Sequence, residues 1–182
     1  YPYWIIYRND FFDSISQRLE FDKFTVFRDR QVTNSNTRQK KGENCLRVIK
    51  SRNISDNGKE VIDIPGYDTF IDKGTAQRLS AYKYVGNKNV YLTPNMTYKP
   101  RVMRNLGNVV VNGSVAILIP KEDFELSESQ MEYFSTEEYR HFYKIARNYQ
   151  TRSLNVDATS VYFYGILKEA ENGQFENSGF LG

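Results

Sequence analysis

Val109-Val110-Val111-Asn112-Gly113-Ser114-Val115-Ala116-Ile117-Leu118-Ile119 is the stretch whose reading decides the fold class. Two runs of aliphatic, largely β-branched residues flank an Asn-Gly dipeptide, whose residues tolerate the backbone angles of a tight turn. Two strands joined by a turn are predicted here. Working outward, the same logic marks residues 24–27, 46–50, 61–64 ahead of Pro65-Gly66, 89–92 and 160–167 as further strands. Before the first of them, Asn9 or Asp10 can cap a helix over residues 10–19, with Phe11, Phe12, Ile15 and Leu19 on one face. Near the other end, Ser127-Glu128-Ser129-Gln130 and Ser135-Thr136-Glu137-Glu138 each fit the capping box that opens a helix. The second of these helices carries Tyr139, Phe142, Tyr143 and Ala146 as a single apolar stripe, read as core. The pattern predicts an α+β fold: a curved, mostly antiparallel sheet with a helix near the start and a helical pair near the end. Residues 1–168 read as one domain and 169–182 as a polar tail.

The 182 residues are 40% hydrophobic, enough to fill one well-buried domain. A net charge of +3 is too mild to identify a nucleic-acid binder, so the position of the basic residues has to decide. One cysteine, Cys45, and one histidine, His141, supply neither a disulfide nor a tetrahedral zinc site. Within Cys45-Leu46-Arg47-Val48-Ile49 the thiol reads as a small hydrophobe packed in a strand, and His141 as a helix-surface or half-buried residue. No stretch approaches the roughly 18 apolar residues of a membrane span, and the chain is expected to be cytoplasmic and metal-free. The opening Tyr1-Pro2-Tyr3-Trp4-Ile5-Ile6-Tyr7 lacks an initiator methionine, and the expectation is a part of a longer chain. Tyrosines outnumber tryptophan 14 to one, and a tyrosine can turn its ring to a core while offering its hydroxyl to a polar partner.

No glycine-rich turn of the dinucleotide or phosphate-cradling kind occurs, and no nucleophile stands in a recognisable relation to the single histidine. Catalytic and cofactor-binding residues are therefore expected to be absent. Glu20, Asp22, Glu60 and Asp63 could gather around magnesium as in a small nuclease, although no carboxylate and lysine pairing on adjacent strand positions supports it. What remains is a set of short clusters mixing Arg or Lys with Asn, Gln, Ser or Thr, the residue types that bond phosphates and read base edges. Arg28-Asp29-Arg30-Gln31 contributes Arg28, Arg30 and Gln31, at the head of a polar run that reaches Asn44. Lys50-Ser51-Arg52-Asn53 contributes Lys50, Arg52 and Asn53, and the stretch from Lys99 to Asn105 contributes Lys99, Arg101 and Arg104. Arg147-Asn148-Tyr149-Gln150-Thr151-Arg152-Ser153 contributes Arg152 and Ser153. Base readers and phosphate clamps stay unsorted within this set, and pairing of some arginines with Asp29, Asp63 or Asp157 stays open.

At these clusters the chain resembles the C-terminal specificity domains of Type II adenine-specific DNA methyltransferases, which are similar to the target-recognition domains of Type I restriction specificity subunits. The resemblance is carried by residues 26–33, 46–54, Lys99-Pro100-Arg101 with Val110-Val111-Asn112, and Tyr133-Phe134-Ser135-Thr136-Glu137-Glu138 running on to Arg147-Asn148 and residues 151–154. It implies a part that binds double-stranded DNA while the target adenine flips out. It also implies that S-adenosylmethionine binding and methyl transfer belong to a methyltransferase core in the same parent chain, with a cognate restriction nuclease as a further partner. The family's catalytic run, an acidic or amide residue followed by two prolines and an aromatic, does not occur; Leu92-Thr93-Pro94-Asn95-Met96 has a single proline. The alternatives are the small magnesium-dependent nuclease and a protein-interaction domain of a restriction complex.

Overall fold

The valine-rich segment forms two strands, yet they do not pair with each other. In a computed structural model describing residues 1–150 and 152–169, the chain opens with α1 (Asp10–Ser16), β1 (Leu19–Glu20), β2 (Phe24–Arg28), β3 (Cys45–Ile49), β4 (Thr69–Asp72) and α2 (Lys73–Ala76). There follow β5 (Tyr91–Pro94), β6 (Met96–Thr97), β7 (Met103–Arg104), β8 (Val109–Val111) and β9 (Val115–Pro120). The last elements are α3 (Glu128–Tyr133), α4 (Glu137–Ala146), β10 (Leu154–Asn155) and β11 (Ile166–Leu167), with 3-10 turns at Ser51–Asn53, Ser80–Tyr84 and Ser160–Phe163. Among the described residues no helix is long and apolar enough to cross a membrane.

The α+β class stands, but the single sheet expected from the sequence is divided into several small ones. One is four-stranded and antiparallel, in the order β2-β9-β5-β7, with Val26 opposite Leu118 and Leu92 opposite Ile117. Another is three-stranded, in the order β4-β3-β8, antiparallel between β3 and β4 and parallel between β3 and β8. Short antiparallel pairs join β1 to β11 and β6 to β10.

Alternation along the strands sorts their residues into layers. Ala116 and Leu118 of β9 face the helices, while Val115 and Ile117 face the three-stranded sheet and meet Ile49 and Val111. On the far side of that sheet, Leu46, Val48 and Val110 pack with Ile71, Ala76 and Ala81. The helical layer is aromatic: Phe12 of α1 stacks on Phe142 of α4 with centroids 4.8 Å apart, and the predicted stripe Tyr139, Phe142, Tyr143 and Ala146 is buried throughout. Two buried tyrosine hydroxyls find carbonyl partners, Tyr139 donating to Phe163 at 3.0 Å and Tyr143 to Asn155 at 2.7 Å, whereas the Tyr133 hydroxyl is buried with none among the described residues. Burial pushes Tyr164 and Tyr133 up to about 12, and Tyr139 and Tyr143 well above the ordinary phenol value.

Why β8 and β9 separate is visible in the turn between them. A two-residue hairpin turn requires positive φ, and neither Asn112 nor Gly113 has it. Instead the Asn112 side-chain oxygen accepts the Ser114 N–H at 3.0 Å and hydroxyl at 2.6 Å, while the Asn112 carbonyl accepts the Val115 N–H at 3.1 Å. This asparagine turn sends the chain out of one sheet and into the other. Gly113 is needed for another reason, because a Cβ there would lie 2.9 Å from the Asp29 carbonyl oxygen.

Other departures have local causes. Helix α1 ends at Ser16, and Leu19 pairs with Leu167 in β1. Residues 61–64 do not form a strand: Val61 makes one isolated bridge to Ile54, and the partner of β3 is β4, which the sequence reading left out. The strand expected over 160–167 is a 3-10 turn followed by β11. Asp157 Oδ1 accepts the N–H groups of Thr159 and Ser160 at 2.9 and 2.7 Å and winds the chain there. Cys45 is a strand residue but only half-buried, its sulfur accepting from Arg38 Nη2 at 2.9 Å rather than lying among hydrophobes. Asn9 caps α1, the Ser127 and Gln130 capping box opens α3, and Thr136 rather than Ser135 caps α4. The expected polar tail lies, from residue 170 onward, outside the described residues.

Candidate nucleic-acid interface

The Asn112–Ser114 turn is where the first two basic clusters meet. On one side Gly113 lies against the backbone of Asp29, and Arg28 pairs through β2 with Ala116, two residues beyond Ser114. On the other, Ser114 Oγ accepts the Ser51 N–H at 2.9 Å, and the Asn112 N–H reaches the Ile49 carbonyl at 3.4 Å. Arg28 and Arg30 therefore flank one edge of this turn, and Lys50 and Arg52 the other.

Asp29 builds the first edge. It is 4% exposed, and its Oδ2 accepts the N–H groups of Gln31 and Val32 at 3.1 and 2.8 Å, which curls the chain after β2. Its other oxygen is buried without a hydrogen-bond partner among the described residues, so Asp29 pairs with no arginine. Arg28 and Arg30 project on either side of it, exposed, and their guanidinium groups bond nothing among the described residues. Gln31 is exposed; its Oε1 accepts the Ser80 N–H at 2.7 Å.

The second edge is the 3-10 turn Ser51–Asn53, and two nominated readers form its frame. Asn53 is fully buried: its Oδ1 accepts the Lys50 N–H at 3.0 Å, and its Nδ2 donates to the Ile62 carbonyl at 2.9 Å and to Asp68 at 2.6 Å. Arg101, 7% exposed, donates to the carbonyls of Ser51 at 3.0 Å, Ile54 at 3.1 Å and Lys99 at 2.7 Å, and to Thr97 Oγ1 at 2.9 Å. Burial lowers the Arg101 pKa from its ordinary value. Asn53 and Arg101 thus point inward, with their polar groups engaged, and do not offer a DNA contact in this arrangement. Lys50 is half-buried, its ammonium 3.9 Å from the Tyr67 ring centroid and bonded to the Tyr67 carbonyl, and burial pushes its pKa down. Arg52 is exposed, with its guanidinium carbon 4.8 Å from the same ring centroid.

The remaining nominees are dispersed. Lys99 pairs with Asp56 at 3.2 Å. Arg104 pairs with Glu125 at 2.7 Å and lines a cavity of about 470 Å³ with Met103, Leu106 and Met131, apart from the Asn112–Ser114 turn. Arg152 is exposed and Ser153 half-buried, just before β10 pairs Leu154 with Thr97. In the cluster preceding them, Arg147 holds Asn155 at 2.9 Å and Asp157 at 3.5 Å, and the Asn148 side chain holds the backbone of Trp4 and Ile6. Thr151 lies outside the described residues. Of the carboxylates named as structural partners, Asp63 pairs with Arg47 and Asp157 with Arg147.

Two residues at this rim were not nominated from the sequence. Tyr67 follows the Pro65-Gly66 break and carries no motif of its own. Arg78 is exposed and unbonded at its guanidinium among the described residues, two positions before the Ser80 N–H that binds Gln31. Its Gln77-Arg78 dipeptide has the same arginine-with-amide composition as the chosen clusters, a signal that could have found it. Among the described residues no three His, Cys, Asp or Glu side chains are placed to hold a metal ion. The chain matches no protein-family model and no curated protein.

Proposed function

We propose that this protein recognises a specific sequence in double-stranded DNA, as the target-recognition part of a bacterial adenine-N6 methyltransferase of a restriction-modification system. The observation that carries the reading is the gathering of Arg28, Arg30 and Arg52 around the Asn112–Ser114 turn, exposed and without a carboxylate partner among the described residues. Elsewhere Arg8, Arg18, Arg38, Arg47, Arg104, Arg140 and Arg147 are each matched to an Asp or Glu, while Arg78 and Arg152 are the other exposed arginines without a carboxylate partner among the described residues. An unpaired arginine on a rigid support has five donors for phosphate oxygens or for a guanine edge. S-adenosylmethionine binding and methyl transfer belong to a methyltransferase core in the parent chain, working in the cytoplasm beside a cognate nuclease.

A protein-interaction role is favoured by a different observation. Trp4, Ile6, Tyr7 and Tyr149 are 82, 64, 53 and 49% exposed, and the rings of Tyr7 and Tyr149 meet edge-on at 5.3 Å. An apolar patch of this kind suits a protein surface. The neighbouring Arg8 is bonded to Asp13 at 2.7 Å, so the patch offers phosphate little.

Selection of bound duplexes from a randomised pool at fixed moderate salt separates the two readings. The expected result is an enriched short motif containing adenine, lost in the Arg28→Ala, Arg30→Ala, Arg52→Ala triple variant. Binding without an enriched motif, or no binding by the intact parent enzyme, would move the assignment to the protein-interaction role.

A further inference from the structure

We infer that Arg52 specifies a guanine in the recognised sequence, aimed at the base edge by Tyr67. The inference rests on the DNA-recognition reading above and distinguishes one arginine from the others at the same rim.

A guanine-reading arginine needs two parallel N–H donors free, a side chain already restricted in direction, and a support that does not yield. Arg52 meets the first condition, since its guanidinium is exposed and bonds nothing among the described residues. Tyr67 supplies the second. Its ring lies 4.8 Å from the guanidinium carbon, and its hydroxyl oxygen lies 3.4 Å from the Arg52 backbone nitrogen as acceptor. A guanidinium resting on an aromatic face loses less freedom when it docks than one swinging in solvent. Tyr67 is itself held, because the Lys50 ammonium bonds its carbonyl and lies over its ring.

The third condition is met below the turn, where Asn53, Arg101 and Ser114 fix the backbone on both sides of Arg52 through Lys50, Ser51 and Ile54. Among the described residues neither Arg28 nor Arg30 has a ring under its guanidinium or a side-chain bond to orient it. Two exposed cations without an orienting contact suit phosphate oxygens, which accept from many directions, whereas guanine O6 and N7 demand a fixed fork. Arg52 is the reader and Tyr67 a positioning residue.

The test uses the same randomised-pool selection with single variants of the full chain. Arg52→Ala is expected to lower the preference for one guanine in the wild-type motif by roughly ten-fold, leaving the other positions intact. Arg52→Lys, which keeps the charge but not the fork, is expected not to restore it. Tyr67→Leu should weaken the same guanine preference and Tyr67→Phe preserve it. Placing 7-deazaguanine at that position should weaken wild-type binding and leave the Arg52→Ala variant unaffected. A uniform loss of affinity in Arg52→Ala, with the salt dependence reduced by about one phosphate contact and all base preferences kept, makes Arg52 a phosphate clamp and overturns the inference while DNA recognition stands. A wild-type selection that enriches no motif overturns both.

Discussion

Arg101 and Arg52 lie close together and have opposite employment. Arg101 threads its guanidinium under the Ser51–Asn53 turn and spends its donors on Ser51, Ile54, Thr97 and Lys99. Arg52 rests above it in solvent. Arg101→Ala removes a charged donor set from a buried site and strands several carbonyls, so a loss on the order of 2–4 kcal/mol of unfolding free energy is expected. Arg52→Ala should change stability by no more than about 0.5 kcal/mol. Urea denaturation of the two variants checks this, and equal losses would contradict the division between brace and surface residue. Residue type could not have separated them in advance. The sequence places both in short basic clusters after or beside an ordered element, and only the path of the backbone turns one inward. Asn53 illustrates the same limit, because an amide that could take an adenine edge equally satisfies a Lys50 N–H and an Ile62 carbonyl.

Helix α4 offers a sharper test at the level of an element, because two adjacent hydroxyls compete for its start. Thr136 Oγ1 accepts the Tyr139 N–H at 3.1 Å, whereas Ser135 Oγ donates to the Glu132 carbonyl at the end of α3. Thr136→Ala is expected to cost about 1 kcal/mol, and Ser135→Ala clearly less. Reversed magnitudes in denaturation would return the cap to Ser135. Helices α1, α3 and α4 were legible in the sequence because caps and apolar stripes are local signals, whereas α2, four residues long and without a side-chain cap, was not. Strands β2, β3, β5, β8 and β9 were legible from runs of aliphatic residues, to within a residue or two at each end. The division into sheets was not, since it depends on which strand lies beside which, and Asn112-Gly113 signals a turn without saying whether its flanks stay together. Strand β4, with Thr69-Phe70-Ile71-Asp72, was hidden behind Pro65-Gly66, and β6, β7 and β10 are two residues each, too short to show a period. At the candidate site, the Arg28 to Gln31 and Lys50 to Asn53 clusters were legible by composition, whereas their meeting around Ser114 was not.

For the molecule as a whole, the aromatic layer between the helices and the four-stranded sheet sets a limit on alkaline stability. Burial holds the Tyr133 and Tyr164 phenols at about 12 against an ordinary 10.0. Below 10.0 these groups are neutral in both folded and unfolded chains, and their contribution to stability is complete. Above it the unfolded chain ionises while the folded one keeps its protons, so stability falls as pH rises from 10.0 to about 12. Burial raises Tyr139 and Tyr143 well above the ordinary value too, and they add to the loss in the same direction. Denaturation midpoints that decline through this window together with a cooperative rise in tyrosinate absorbance are expected. A constant midpoint would show that the buried hydroxyls ionise within the folded state.

The asparagine turn at 112–114 is also a joint. Arg28 and Arg30 belong to the edge of the four-stranded sheet, while Arg52 rides on the end of the three-stranded one, and Ser114 is bonded to the turn that carries it. The rim is a calliper: each jaw is mounted on its own plate, and its opening is set by the Asn112–Ser114 turn, the Ser114 to Ser51 bond, the Arg101 brace and the packing of Val115 and Ile117 on Ile49 and Val111 rather than by the arginines at the tips. What is contacted along a duplex then has two independent determinants, the chemistry at each tip and the gap between the tips.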